Sequence, residues 1–118
     1  MSQQPQMLTV VSARQDGAVV VSLTGELDMA TVGQASTALK EAVETGAPVV
    51  LDLTGLQFFS SAGLNMLLQL HEDARERQLD VRLAGDQRAV ARPLELTGLI
   101  ELFPVYPSVT AALAARSA

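Results

Sequence analysis

Val49-Val50-Leu51-Asp52-Leu53 is the stretch that most restricts what this chain can become. A β-strand alternates faces residue by residue, so a run that is apolar at nearly every position needs cover above and below. That is the situation of a central strand in a largely parallel sheet. Such a sheet takes its cover from crossover helices, and helix-spaced apolar residues lie on both sides of the run. Val32, Ala35, Leu39, Ala42 and Val43 precede it; Leu64, Leu67, Leu68 and His71, widened by Met66, Leu70 and Ala74, follow it. The expectation from this one strand outward is an α/β fold.

Punctuation in the chain supplies the remaining elements. Met7 to Ala13 and Ala18 to Thr24 alternate and are rich in β-branched residues, with Asp16-Gly17 between them as a hairpin turn. Gly25-Glu26-Leu27-Asp28 is expected to break the second strand, and Thr31 with Gln34 to form a capping box at the first helix. Gly46 suits a left-handed helix end, and Pro48 prevents continuation. The second helix starts at Ser61 and runs into a solvated charged stretch, in which Glu72 is spaced to pair with Arg75 and Asp73 with Arg77.

Beyond it, Val81 and Leu83 alternate with Asp80 and Arg82 as a short strand. Ala89 to Leu96 reads as a helix ending at Gly98, its start placed late because Pro93 is harmless only in a first turn. Leu102 to Val105 is expected as an edge strand, since Pro104 would disrupt a central one. Ser108 caps a last helix that buries Val109, Ala112 and Leu113, before a frayed Ser117-Ala118 tail. The order ββαβαβαβα specifies a mixed sheet in one domain over the 118 residues, with an ordered core from about residue 7 to residue 115.

Composition removes several kinds of function. Without cysteine there is no disulfide framework, thiolate nucleophile or Cys-ligated metal, and the chemistry of the chain points to no cofactor. A formal charge of −5, one lysine (Lys40) and dispersed arginines argue against nucleic acid, whose affinity comes from clustered cations releasing counterions. No apolar run approaches the roughly 18 residues of a spanning helix. Met1-Ser2-Gln3-Gln4-Pro5 lacks the basic start of a signal peptide, so a cytoplasmic location away from any membrane is expected.

Chemistry concentrates in Leu56-Gln57-Phe58-Phe59-Ser60-Ser61-Ala62-Gly63-Leu64, between the central strand and the buried helix. Sites of open α/β sheets form at the carboxyl ends of strands, and a helix N-terminus there offers free N–H donors to a phosphate. Ser60 and Ser61 are also what a plain helix cap looks like. A nucleophilic role for Ser61 needs a histidine base, and the only histidine, His71, lies ten helical residues on, about 15 Å along the axis. Glu26 and Asp28 form a carboxylate pair whose ordinary use is to cap the next helix. No phosphate loop, nucleophile elbow or zinc motif is present, so no enzyme activity is expected and any phosphate comes from another protein.

Three stretches resemble the STAS domain, and within it the stand-alone anti-sigma factor antagonists. They are Gly25-Glu26-Leu27-Asp28 with the helix after it, Leu51-Asp52-Leu53 through Phe58-Phe59-Ser60-Ser61-Ala62-Gly63-Leu64, and Leu94-Glu95-Leu96-Thr97-Gly98-Leu99 through Phe103-Pro104-Val105-Tyr106-Pro107-Ser108. The resemblance runs from Leu8 to Ala114. It implies partner switching: the unmodified protein binds an anti-sigma factor that is also a serine kinase and frees a sigma factor, phosphorylation stops this, and a serine phosphatase resets it.

Aligned on Gly63, the phosphorylated serine of the family falls on Ser61, with Ser60 as the second candidate. Ser60 stands where the family has aspartate, and Ala62 where it has a second hydroxyl. The docking face implied around Ser61 comprises Glu26, Asp28, Phe59, Ser60, Ala62, Gly63 and Asn65. Leu56 and Phe58 are further candidate anchors, with at least one of the two phenylalanines expected in the core. The two departures also motivate an alternative: a STAS subunit that takes no phosphate and serves a larger assembly, such as a lipid transport complex or a signalling scaffold.

Overall fold

A computed structural model describes residues 7–115; Met1 to Pro5 and the Ser117-Ala118 tail, on which two expectations rest, lie outside the described residues. The Val49–Phe59 strand is the middle of a five-stranded mixed sheet. Strands β1 (Leu8–Gln15) and β2 (Ala18–Leu27) form an antiparallel hairpin, and β3 (Val49–Phe59), β4 (Val81–Ala84) and β5 (Val105–Tyr106) follow side by side, each parallel to its neighbour from β2 on. Helices α1 (Val32–Glu44), α2 (Ser61–Arg77) and α3 (Arg88–Thr97) intervene, a tight turn spans Leu99–Glu101, and α4 (Val109–Ala114) ends the order.

Cover on both faces of β3 is present but unequal. Val49, Leu51 and Leu53 join the larger apolar cluster with Leu39 of α1, Leu67 of α2 and Leu94 of α3. Val50 points the other way, into a small cluster with Ala18, Val20, Ala84 and the α4 residues Ala112 and Leu113. Two residues along the small-cluster face, Asp52 is only partly buried. Its carboxylate accepts from the Ser22 hydroxyl (2.9 Å), the Thr54 hydroxyl (2.6 Å) and the Thr54 N–H (3.0 Å). Hydroxyl donors from its own and the next strand let one acid sit in an otherwise apolar run.

The local signals for turns and caps hold where they depend on the backbone. Asp16 and Gly17 both have positive φ, as a two-residue hairpin turn demands, and Gly46 and Gly98 adopt the left-handed conformation after α1 and α3. The Ser108 hydroxyl accepts from Ala111 N (3.0 Å) and caps α4.

Tertiary contacts changed other expectations. β2 does not break at Gly25 but runs to Leu27, because two register shifts against β3 absorb the irregularity and Glu26 N finds Met7 O (2.7 Å). β3 likewise extends to Phe59. Of the expected α2 stripe, Met66, Leu67, Leu70 and Ala74 are buried, while Leu68 is exposed and Gly63 joins the buried side instead; a glycine contributes nothing to an apolar pattern although it packs closely. All four residues of β4 are buried. Arg82 is among them because its Nη1 donates to Ala112 O (2.9 Å), its other nitrogens bond Asp80, and its guanidinium lies over the Tyr106 ring.

The last strand falls at Val105–Tyr106 rather than Leu102 to Val105, because the residues after Gly98 form a tight turn first. Pro93 sits beyond the first turn of α3, where it removes one internal bond without ending the helix. No side-chain capping bond forms at Thr31, whose hydroxyl donates to Glu26 O instead (2.9 Å). Neither expected ion pair on α2 forms; Asp73 accepts from Gln69 (3.1 Å).

Candidate functional site

Strands β2 and β3 reach the same end of the sheet in register, Glu26 beside Phe58 and Leu27 beside Phe59. Ser60 N then donates to Leu27 O (3.0 Å), so the backbone turns into α2 while still held to β2. The β2–α1 loop and the entry to α2 therefore lie side by side at this end of the sheet.

The two serines divide the roles that the sequence left open between them. Ser60 is extended, and its Oγ accepts from Ala62 N (3.2 Å), which makes it the helix cap. Ser61 is the first residue of α2, exposed, and its hydroxyl has no hydrogen-bond partner among the described residues. A hydroxyl that caps nothing, next to helix N–H groups that lack internal partners, is chemically available. Asn65, four residues on and on the same helix face, is exposed too, and Ala62 is half-buried between them.

Across the loop, Asp28 ties the turn that leads into α1, where the acidic pair was expected to cap the helix itself. Its Oδ1 accepts from Ala30 N (2.9 Å) and Thr31 N (3.1 Å), and its own N–H donates to the Thr31 hydroxyl (3.0 Å). Glu26 remains a half-exposed carboxylate at the strand end.

Phe59 departs from its expected place on the docking face. Its ring is 6% exposed and packs against Gly63 and Leu27, so it shapes the surface from below. Gly63 is buried for the same reason: a Cβ there would approach Phe59 Cε1 to 2.5 Å and Leu27 Cδ2 to 2.8 Å. Leu56 is buried as well, whereas Phe58 is 50% exposed. The most exposed large apolar side chain at this end is Met29, 85% exposed in the β2–α1 loop, and the sequence reading missed it. Its signal was an apolar residue beside Asp28 that belongs to neither a strand nor a helical stripe.

His71 packs edge-on against Phe103, with ring centroids 5.6 Å apart, far along α2 from Ser61. Among the described residues no cluster of three or more His, Cys, Asp or Glu is placed to hold a metal ion, and no helix is long and apolar enough to cross a membrane.

Comparison with known proteins shows the family and the fold. The model of the STAS domain family matches residues 9–112. The anti-sigma-F factor antagonist RsfA of Mycobacterium tuberculosis is 35% identical over 103 residues, 85% of this chain and 80% of RsfA. A crystal structure of an anti-sigma factor antagonist from Mycobacterium paratuberculosis superposes with a TM-score of 0.85 at 33% identity, covering 97% of both chains. The Bacillus cell-fate determinant SpoIIAA in its phosphorylated form shares the fold at 20% identity, with a TM-score of 0.68 over 92% of this chain and 99% of its own.

Proposed function

The chain belongs to the STAS domain family, and from that premise we propose that it is an anti-sigma factor antagonist switched by phosphorylation of Ser61. The unmodified protein binds an anti-sigma factor and so releases a sigma factor. The anti-sigma factor is also the serine kinase that modifies Ser61, and a serine phosphatase restores the binding form. The exchange takes place in the cytoplasm, where sigma factors meet RNA polymerase.

The observation that carries this reading is the division of labour between the serines. Ser60 holds the helix cap, so the Ser61 hydroxyl is free and exposed at the start of α2. Phosphate on Ser61 adds about −1.5 to −2 charges and three strongly hydrated oxygens. Glu26, Asp28, Ser60, Ala62 and Asn65 around it include no cation to neutralise that charge. A partner that docked over Ser61 would have to desolvate the phosphate with no cationic side chain among these neighbours to offset the cost, and a hundredfold loss of affinity needs only about 2.7 kcal/mol. The chain acts by binding, with no step of covalent chemistry of its own.

The test is incubation with ATP and the cognate anti-sigma kinase, followed by mapping of the modified residue. Label on Ser61 that disappears in Ser61→Ala is the expected result, together with loss of anti-sigma binding by the phosphorylated form. Undiminished label in Ser61→Ala overturns the assignment.

A further inference from the structure

β4 stops at Ala84, beside Asp52, whereas β3 continues to Phe59 and leads directly into Ser60 and Ser61. Among the described residues, β3 from Leu53 on therefore has β2 on one side and no strand on the other. This distal half is also where the β2 register slips twice, between Ser22 and Thr24 and between Gly25 and Glu26. A bulged strand with one open edge is the weakest kind of sheet segment, and its carbonyls need donors from elsewhere.

One side chain supplies them. Gln87 Nε2 lies 2.8 Å from Leu53 O, 3.1 Å from Leu56 O and 3.3 Å from Thr54 O. Three carbonyls converging on one amide identify the nitrogen end of that amide, since an oxygen there would face only acceptors. Gln87 stands at the N-cap position of α3 but does not cap it with its side chain, which reaches across to β3. Gly85 seats the loop: at φ +129° it brings the chain so close to β3 that a Cβ would fall 3.1 Å from the Leu53 carbonyl carbon and 3.2 Å from Thr54 N.

We infer that Gln87 is a positioning residue for the Ser60-Ser61 segment: its side-chain amide donates along the open edge of β3 where a neighbouring strand is missing, and thereby holds the entry of α2 in the geometry a modifying kinase meets. The inference rests on the reading of Ser61 as the phosphate acceptor. It assigns Gln87 no contact with the partner.

The test uses Gln87→Glu and Gln87→Leu in the full chain. Glutamate has the same shape, turns the donor into an acceptor, and favours the start of α3 through its charge, so loss of α3 does not explain its effect. Amide exchange is expected to accelerate about tenfold at residues 54–59 and to stay unchanged at residues 49–52. With the cognate kinase, kcat for Ser61 is expected to fall about tenfold while KM stays within about twofold, as for a misplaced acceptor on an intact docking face.

Unchanged exchange at residues 54–59 in both variants overturns the inference, as does equal loosening of residues 49–52. So does a loosened segment with unaltered kcat. Wild-type protein that takes no phosphate from the kinase refutes the reading of Ser61 instead, and the exchange measurement then decides the Gln87 clamp by itself.

Discussion

Replacing Gly63 by alanine puts a methyl group where α2 has its closest approach to the sheet. The new Cβ would lie 2.5 Å from Phe59 Cε1, 2.7 Å from Phe59 Cδ1 and 2.8 Å from Leu27 Cδ2. These are side-chain atoms, but Leu27 and Phe59 are themselves buried and have no route to solvent. Alanine gains about 1 kcal/mol in helix propensity over glycine. Overpacking a filled core costs about 1–3 kcal/mol, and two immobile neighbours place this site in the upper half of that range. The net expectation is a destabilisation of about 1–2 kcal/mol, or a fall in Tm of about 4–10 °C for a domain of this size.

Far-UV circular dichroism is the suitable probe of thermal and urea unfolding, because the chain contains no tryptophan. Adding Phe59→Leu should recover part of the loss, with a coupling of at least about 0.5 kcal/mol between the two sites. A Gly63→Ala protein as stable as wild type, or strictly additive effects in the double variant, would refute the claim that the Phe59 ring is wedged against this glycine.

Other outcomes follow from the same contacts. Ser60→Ala removes the cap on α2 and should cost about 1 kcal/mol in urea unfolding, whereas Ser61→Ala should change stability by less than about 0.5 kcal/mol and abolish phosphorylation. Ser61→Asp should weaken anti-sigma binding about tenfold or more by calorimetry, since it puts charge on the proposed docking face. Phe58→Ser should leave Tm nearly unchanged, because the ring is half exposed, yet reduce anti-sigma affinity measurably by calorimetry. Arg82→Met should cost about 1–3 kcal/mol, nearly all from the Ala112 carbonyl that loses its donor, since Asp80 is 43% exposed and rehydrates.

Much of the site was legible before any coordinates. The apolar run at Val49 placed a central strand, the serine pair stood at its carboxyl end before a helix, and Glu26 and Asp28 lay at the end of the neighbouring strand. Which serine caps α2 was not legible, because both are good caps and the choice depends on where β3 releases the chain. Phe58 and Phe59 could not be ranked for a related reason. Each of the two bulges on β3, opposite Ser22–Thr24 and Gly25–Glu26, exchanges the faces of the strand, and only because there are two of them does Phe59 keep the core face of Leu53.

What the sequence determines by itself is whatever rests on short-range physics: the positive-φ turn at Asp16-Gly17, the helix stops at Gly46 and Gly98, the cap at Ser108, and the apolar run that demands an α/β sheet. Tertiary structure alone decides the outcomes set by partners distant in the chain. Arg82 is buried because Ala112 offers a carbonyl thirty residues away, Gly63 is favoured over alanine because Leu27 and Phe59 fill the space beside it, and Gln87 turns from its own helix to the open edge of β3. A backbone turn is chosen by a residue and its immediate neighbours, whereas a buried polar or close-packed position is chosen by whichever atoms the fold brings opposite to it.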